Sequence, residues 1–369
     1  MQKILGQDHA LEVLRAALAS GRMHHAWIFH GPVGVGKATT ALAVAKVLLC
    51  HQPVMDETGV PSACGNCRSC SLLAREGGAH PDLHVVRKEL AQFSDDASVR
   101  GRKQMNIPLA VINERLLNPA HQSASLQHNK VFVVDEAELL GSNQKEGQNA
   151  LLKTLEEPPD GTFIFLVTSH EDRLLPTIRS RCQRVGFGNL SDEQVAKWVE
   201  QHPDAAELSD KQRQWVSQFA RGSLGRAALV MRYRLDVWAD ELEPMVRQVL
   251  NGRPVPELGP TMAELVETFA KAWVDHHANA SKDAANKAGV RHLFNLLAER
   301  CRRGLHETAE RLAGETADAT EAAMQPYLNG VELIRQAEGD LDANVALPLL
   351  LDNLAIQWAS ENEPQSAGP

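Results

Sequence analysis

Residues 26–42 read AWIFHGPVGVGKATTAL, an apolar run that meets three glycines and resumes as a helix-forming stretch at Lys37. A short apolar run, a Gly-rich turn and a helix form a strand–loop–helix unit. In that setting Gly31-x4-Gly36-Lys37 fits the phosphate-binding pattern G-x-x-x-x-G-K. Gly31, Gly34 and Gly36 let backbone N–H groups turn toward phosphate oxygens, and the helix N-terminus behind them favours negative charge. Lys37 would reach the terminal phosphates. The next position calls for a hydroxyl on Mg²⁺, and here it is Ala38. Water could fill that gap, because Mg²⁺ keeps several waters. Thr39 is carried as a further site residue, although it stands one residue out of place and faces elsewhere on a helix.

Working outward, Val131-Phe132-Val133-Val134 is an apolar β-branched run of the kind buried in parallel sheets. It ends in Asp135-Glu136, where Asp135 would hold the Mg²⁺ shell and Glu136 would orient attacking water. The expectation is a nucleotide site by ancestry, with Ala38 leaving hydrolysis in doubt. Phe163–Val167 predicts another buried strand, and Leu83–Arg87 and Met105–Pro108 two more. Helices are expected over Ile4–Leu18, Lys37–Leu49, from Ile112, and over Asn149–Glu157, where Pro158-Pro159 stops the last. Strands alternating with helices predict an α/β layer structure with a parallel sheet.

Beyond Val185 the pattern changes. Ser191-Asp192-Glu193-Gln194 predicts a capped helix start, and only helical patterns follow as far as Trp358. Tyr327–Ala337 and Leu341–Trp358 are amphipathic, and Gly252–Pro260 predicts a loop rich in breakers. The expected division is an α/β domain at 1–186 with a cysteine module at 50–70, a small helical domain at 187–236, a larger one at 237–360, and a disordered tail at 361–369.

The chain has 369 residues, with Lys plus Arg 38 against Asp plus Glu 47, a formal balance of −9. That excludes a protein that coats nucleic acid through bulk positive charge. Apolar residues make up 43%, too many for a disordered chain. No apolar run is long enough to span a membrane, and the first 25 residues lack a signal-peptide core, so the chain reads as cytoplasmic. In a reducing compartment a tight cysteine cluster points to metal rather than disulfides. Cys50-x13-Cys64-x2-Cys67-x2-Cys70 supplies the four thiolates of a closed tetrahedral zinc site. An iron–sulfur cluster is the rival cofactor, and unliganded thiols the bland reading. His51, His80 and His84 lie nearby as bystanders.

Further segments join these motifs. They are Met1–Gln7, His25–Pro32, Lys130–Ala137, Asn149-Ala-Leu-Leu-Lys-Thr-Leu-Glu-Glu-Pro-Pro159 and Ser180-Arg181-Cys182. Together with the cysteine insertion they resemble the bacterial DNA polymerase III clamp loaders of the AAA+ class. The resemblance implies a RecA-like parallel sheet with a P-loop and a four-Cys zinc insertion, followed by two all-α domains, the last an oligomerisation collar. Two subunit types share these features. Ala38, and Gly225 where the motor type has a sensor arginine, point to the delta-prime branch; intact Lys37, Asp135 and Glu136 keep the ATP-hydrolysing gamma/tau-like reading as the alternative. The resemblance further implies that Arg181 projects in trans onto a neighbour's ATP, with Arg179 and Arg184 as competitors for that role and a surface ion pair as the bland reading. It implies gamma/tau and delta subunits as partners, the sliding clamp and primer-template DNA as targets reached through the complex, and weak or absent ATPase for the chain alone. Zinc is the expected cofactor, with ATP and Mg²⁺ doubtful at the chain's own site. Glu156 and Glu157 end a helix where negative charge opposes the dipole, an oddity that fits either an interface or a solvated end.

Overall fold

The computed structural model describes residues 4–75, 79–100, 106–126, 128–141, 145–276, 281–313 and 315–363. The chain divides into two compact units, Met1–Gln201 with Ala220–Ala227, and His202–Phe219 with Ala228–Pro369.

The first unit runs α1 (Asp8–Ala19), β1 (Ala26–His30), α2 (Lys37–Leu48), β2 (Val54–Met55), β3 (Pro61–Ser62), α3 (Arg68–Leu73) and β4 (Leu83–Val86). It continues through α4 (Ala97–Arg100), α5 (Leu109–Ile112), α6 (Asn118–His121), β5 (Lys130–Val134), α7 (Lys145–Glu156), β6 (Thr162–Thr168), α8 (Pro176–Arg179), β7 (Gln183–Gly186) and α9 (Asp192–Gln201). Five strands form one parallel sheet in the order β4-β5-β6-β1-β7, and β2 pairs with β3 in a separate antiparallel ribbon. The interior strands β5, β6 and β1 are buried on both faces, which is why they read as unbroken apolar runs. Ile28, Phe132, Val134, Ile164 and Leu166 meet Val111, Leu116, Leu151 and Leu155 in one core.

Several boundaries differ from expectation. The strand expected over Leu83–Arg87 stops at Val86. In the segment expected as a strand over Met105–Pro108, Met105 lies outside the described residues. Ile107 makes a single bridge to Leu140 there, and Pro108, with no N–H to extend a ladder, precedes α5. The helix expected from Ile112 begins earlier, at Leu109, and passes through a wide turn at Asn113–Leu117 into α6. Met1–Lys3 of the first quoted motif lie outside the described residues.

Lys130 opens β5 yet is buried. Its Nζ donates to the carbonyl of Pro119 at 3.0 Å and to those of Ala120 and Gln122, closing the C-terminus of α6 where a cation is favoured. Lys130→Met is expected to cost about 2–3 kcal/mol, the worth of charge-assisted hydrogen bonds. Urea unfolding checks this; a loss below about 0.5 kcal/mol would contradict the capping role.

After β7 the described residues hold no further strand. The expected capping box forms: Gln194 N–H donates to Ser191 Oγ at 3.2 Å, and Ser191 N–H to Gln194 Oε1 at 3.0 Å. The remaining helices are α10 (Asp210–Ala220), α11 (Leu224–Tyr233), α12 (Leu235–Leu250), α13 (Leu258–His276), α14 (Lys282–Arg311), α15 (Ala317–Asp342) and α16 (Leu347–Glu361). In the second unit Trp238, Phe269, Leu293, Phe294 and Trp358 are buried. Two boundaries shift here. The loop expected over Gly252–Pro260 ends before Leu258, because a proline is tolerated in the first turn of α13. The stretch expected as one helix over Leu341–Trp358 is broken after Asp342, with Asn344 in the left-handed region. Of the expected tail, Glu361 closes α16, and residues 364–369 lie outside the described residues. No helix among the described residues is long and apolar enough to cross a membrane.

Candidate nucleotide, metal and arginine sites

The phosphate loop leaves β1 at Gly31 and enters α2 at Lys37. Lys37 is buried, and its Nζ donates to the carbonyls of Gly31 (2.7 Å) and Pro32 (2.6 Å) and to Ser169 Oγ (3.2 Å). The lysine thus turns onto its own loop. Burial lowers its pKa, while the fields of Glu138 and then Asp135 oppose that shift. Gly34 has φ +76° and lies against the first turn of α11, whose Gly225 N–H donates to the Gly34 carbonyl at 2.9 Å. Ser223 Oγ donates to the Val33 carbonyl at 3.0 Å. A Cβ on Gly225 would come within 2.8 Å of Gly34 Cα, so no arginine fits at 225 while these backbones touch. Thr39 is exposed on α2; Thr40, buried, donates back to the Gly36 carbonyl at 2.8 Å.

Asp135 and Glu136 stand just past β5, and Glu136 adopts the left-handed region at φ 51°. Both are answered from the neighbouring strand. The parallel register sets Val86 opposite Val134, so Arg87 and Lys88 emerge beside the two acids. Arg87 Nε lies 3.3 Å from Asp135 Oδ2, and Lys88 Nζ 2.8 Å from Glu136 Oε2. The carboxylates expected to face Mg²⁺ and water are therefore paired with cations of the same chain.

Arg181 sits in the turn between α8 and β7, half-buried. Its Nη1 donates to the Thr177 carbonyl at 2.9 Å, and its Nη2 lies 2.5 Å from Glu156 Oε1 at the end of α7. The pair lines an open cleft with His24, His25, Leu155, Ser180, Cys182 and Gln183. The opposed dipole noted at Glu156 thus has a partner. Of the rival arginines, Arg184 is paired with Glu171, and Arg179 buries its Nε without a hydrogen bond. Burial pushes the Cys182 thiol up to about 12, so it is no nucleophile.

The four cysteines converge. Their Sγ atoms all lie within 4.8 Å of one another, with Cys50–Cys64 at 3.5 Å, Cys50–Cys70 at 3.7 Å, and Cys50–Cys67 and Cys64–Cys70 at 3.9 Å. A disulfide would need about 2.05 Å. A tetrahedron with metal–sulfur bonds of about 2.3 Å has edges of about 3.8 Å, so the cluster fits one four-coordinate ion. Burial raises the Cys70 thiol to about 12. It acts the same way on Cys67, but N–H groups of Cys70 and His51 outweigh it and draw that thiol down to about 6. Cys67 caps α3, and buried Ser69 shares a 2.9 Å hydrogen bond with His80 Nε2, tying the module to the entry of β4. His80 is thus a brace rather than a ligand.

A family model described as DNA polymerase III, delta subunit, matches residues 6–191, the span that holds the phosphate loop, the four cysteines and Arg181. The chain belongs to this family. It is 28% identical to the DNA polymerase III subunit delta' of Pseudomonas aeruginosa, over 91% of the chain and 92% of that relative. With the delta' subunit of Escherichia coli it shares 33% identity over 51% of the chain and 49% of the relative. With the tau subunit of Escherichia coli the identity is 32%, over 60% of the chain but only 31% of tau.

Within this family member, sequence reasoning placed the loop, the acids, the arginine and the cysteines, but it missed Arg87, Lys88, Glu138 and Ser169. The first two carried a readable signal: adjacent cations at the end of a predicted strand. Glu138 and Ser169 carried none, since their role depends on which strands become neighbours.

Proposed function

We propose that the chain works as the delta' member of a DNA polymerase III clamp loader, contributing Arg181 to a neighbouring subunit's ATP rather than hydrolysing ATP itself. The observation that carries this is the contrast between the two sites. At the chain's own nucleotide site buried Lys37 is held on its loop carbonyls and Ala38 offers no hydroxyl to a metal, while Asp135 and Glu136 make surface pairs with Arg87 and Lys88. Arg181, by contrast, stands at an open cleft, held by the Thr177 carbonyl, Ser180 Oγ and the surface carboxylate of Glu156. A surface ion pair of this kind is weak, so a phosphate can compete for the guanidinium at little cost.

In this reading Gly31, Gly34, Gly36, Lys37, Thr39, Asp135 and Glu136 are a degenerate nucleotide site, and Cys50, Cys64, Cys67 and Cys70 hold structural zinc. Gamma/tau and delta subunits are the partners, the sliding clamp and primer-template DNA the targets reached through them, and the cytoplasm the location. The division at 186 and 236 into α/β, lid and collar domains belongs to the same proposal.

The test is ATP turnover and Mg-ATP calorimetry on the chain alone and in the assembled complex. The expected result is no turnover and a Kd weaker than about 1 mM for the lone chain, a binding free energy of only about −4 kcal/mol. Robust turnover abolished by Lys37→Ala would instead establish a gamma/tau-like motor.

A further inference from the structure

Glu138 has no part in the roles described so far. It lies in the short helical turn Ala137–Leu139 that follows Glu136, and it is only 6% exposed. Its Oε1 accepts the Ser169 N–H at 3.3 Å, whereas its Oε2 is buried with no hydrogen-bond partner. Ser169 Oγ in turn accepts from Lys37 Nζ at 3.2 Å. The carboxylate therefore stands behind the residue that holds the lysine, and its field acts on Lys37 ahead of that of Asp135.

A buried carboxylate with an idle oxygen is costly unless a cation offsets it, and Lys37, equally buried and linked to Glu138 through Ser169, supplies the opposing field. In a working phosphate loop the lysine charge is available to the phosphates. Here an incoming phosphate would have to compete with a fixed negative charge for the same lysine, and would itself be repelled by that charge. The neighbouring acids offer no such conflict, because Arg87 and Lys88 already answer them.

We propose that Glu138 is a positioning residue that keeps Lys37 turned onto the carbonyls of Gly31 and Pro32, and thereby sets the low affinity of this site for nucleoside di- and triphosphates. The inference rests on the reading of this site as silent. It goes further by assigning the silence to a residue outside the phosphate-loop motif, where Ala38 alone would otherwise be held responsible.

The experiment is calorimetric titration of ADP, with and without Mg²⁺, into the full metal-loaded chain, unaltered and as Glu138→Gln. Glutamine keeps the oxygen that accepts from Ser169 and removes the charge. ADP affinity is expected to rise about tenfold to hundredfold, the scale of one unit charge acting across an intervening residue in a partly buried site. The gain should appear without Mg²⁺ as well, since Ala38 offers no metal ligand. Glu138→Asp, which keeps the charge, should bind as weakly as the unaltered chain, and Lys37→Ala added to Glu138→Gln should erase the gain. A merely structural role for Glu138 would leave ADP binding where it was and lower only the melting temperature. Equal or weaker ADP affinity in Glu138→Gln overturns the proposal while leaving the silent site intact; tight ADP binding by the unaltered chain overturns both. Should Glu138→Gln fail to fold, Glu138→Met removes the charge with an apolar side chain of similar length: a rise in ADP affinity is expected again, and its absence overturns the proposal.

Discussion

Arg181→Ala, assembled with motor subunits, is expected to slow ATP hydrolysis at the interface proposed for it by roughly 10³-fold or more, the range an arginine supplied in trans is worth. The reason lies in charge placement. The guanidinium cannot lose its proton and presents a rigid fork, so it meets the charge that builds on the transferring phosphoryl group without reorganising. Arg181→Lys should recover little of the rate, since an ammonium lacks the fork. The measurement is single-turnover hydrolysis in complexes where only the neighbouring subunit retains a working nucleotide site. Unchanged turnover there would assign Arg181 to its ion pair with Glu156 and nothing more. Because Arg181 is half-buried and sits in a turn, the alanine variant should melt close to the unaltered chain. A loss of rate without loss of fold is the signature expected.

Cys67→Ser is expected to have the second large effect, on the metal proposed for the four thiolates and on the module around them. The expected result is a fall from one metal ion per chain to none by elemental analysis. Amide protection in residues 50–73 falls with it, while the five-stranded sheet stays protected. Structural zinc contributes apparent binding free energies of about 10–16 kcal/mol in small domains. The module has little else to hold it: β2 and β3 are two residues each and largely exposed, and α3 spans six. Its other ties include Cys50 just past α2, the Ser69–His80 hydrogen bond and the His51–His128 ring contact. A Cys67→Ser chain that kept one metal ion and full protection would show that the four thiols are not the metal's shell.

Much of this could be read along the chain. β1, β5 and β6 announced themselves because strands buried on both faces must be apolar throughout, and the glycines of the phosphate loop because only they tolerate its backbone. Cys64, Cys67 and Cys70 are close enough in sequence that spacing alone brings them together. Weaker signals misled. Leu341 continued an apolar pattern into the next helix because periodicity does not mark a turn between two amphipathic helices, and Met105–Pro108 looked like a strand because short apolar runs do not distinguish a strand from a single bridge.

What the sequence determined by itself, then, is the inventory: a parallel α/β sheet, a nucleotide-type loop without its hydroxyl, a four-thiolate cluster and an arginine after Ser180. What only the tertiary structure decided is whether those parts are free or engaged. The pairing of Arg87 with Asp135 and of Lys88 with Glu136 follows from the register of β4 against β5. The closing of Lys37 onto Ser169 follows from β6 lying beside β1, and the capture of Arg181 by Glu156 from the meeting of two element ends. The physical reason is one of range. Helix and strand periodicity, turn chemistry and ligand spacing act between residues near in sequence, whereas the partner of a charge is chosen by the packing of elements far apart in the chain.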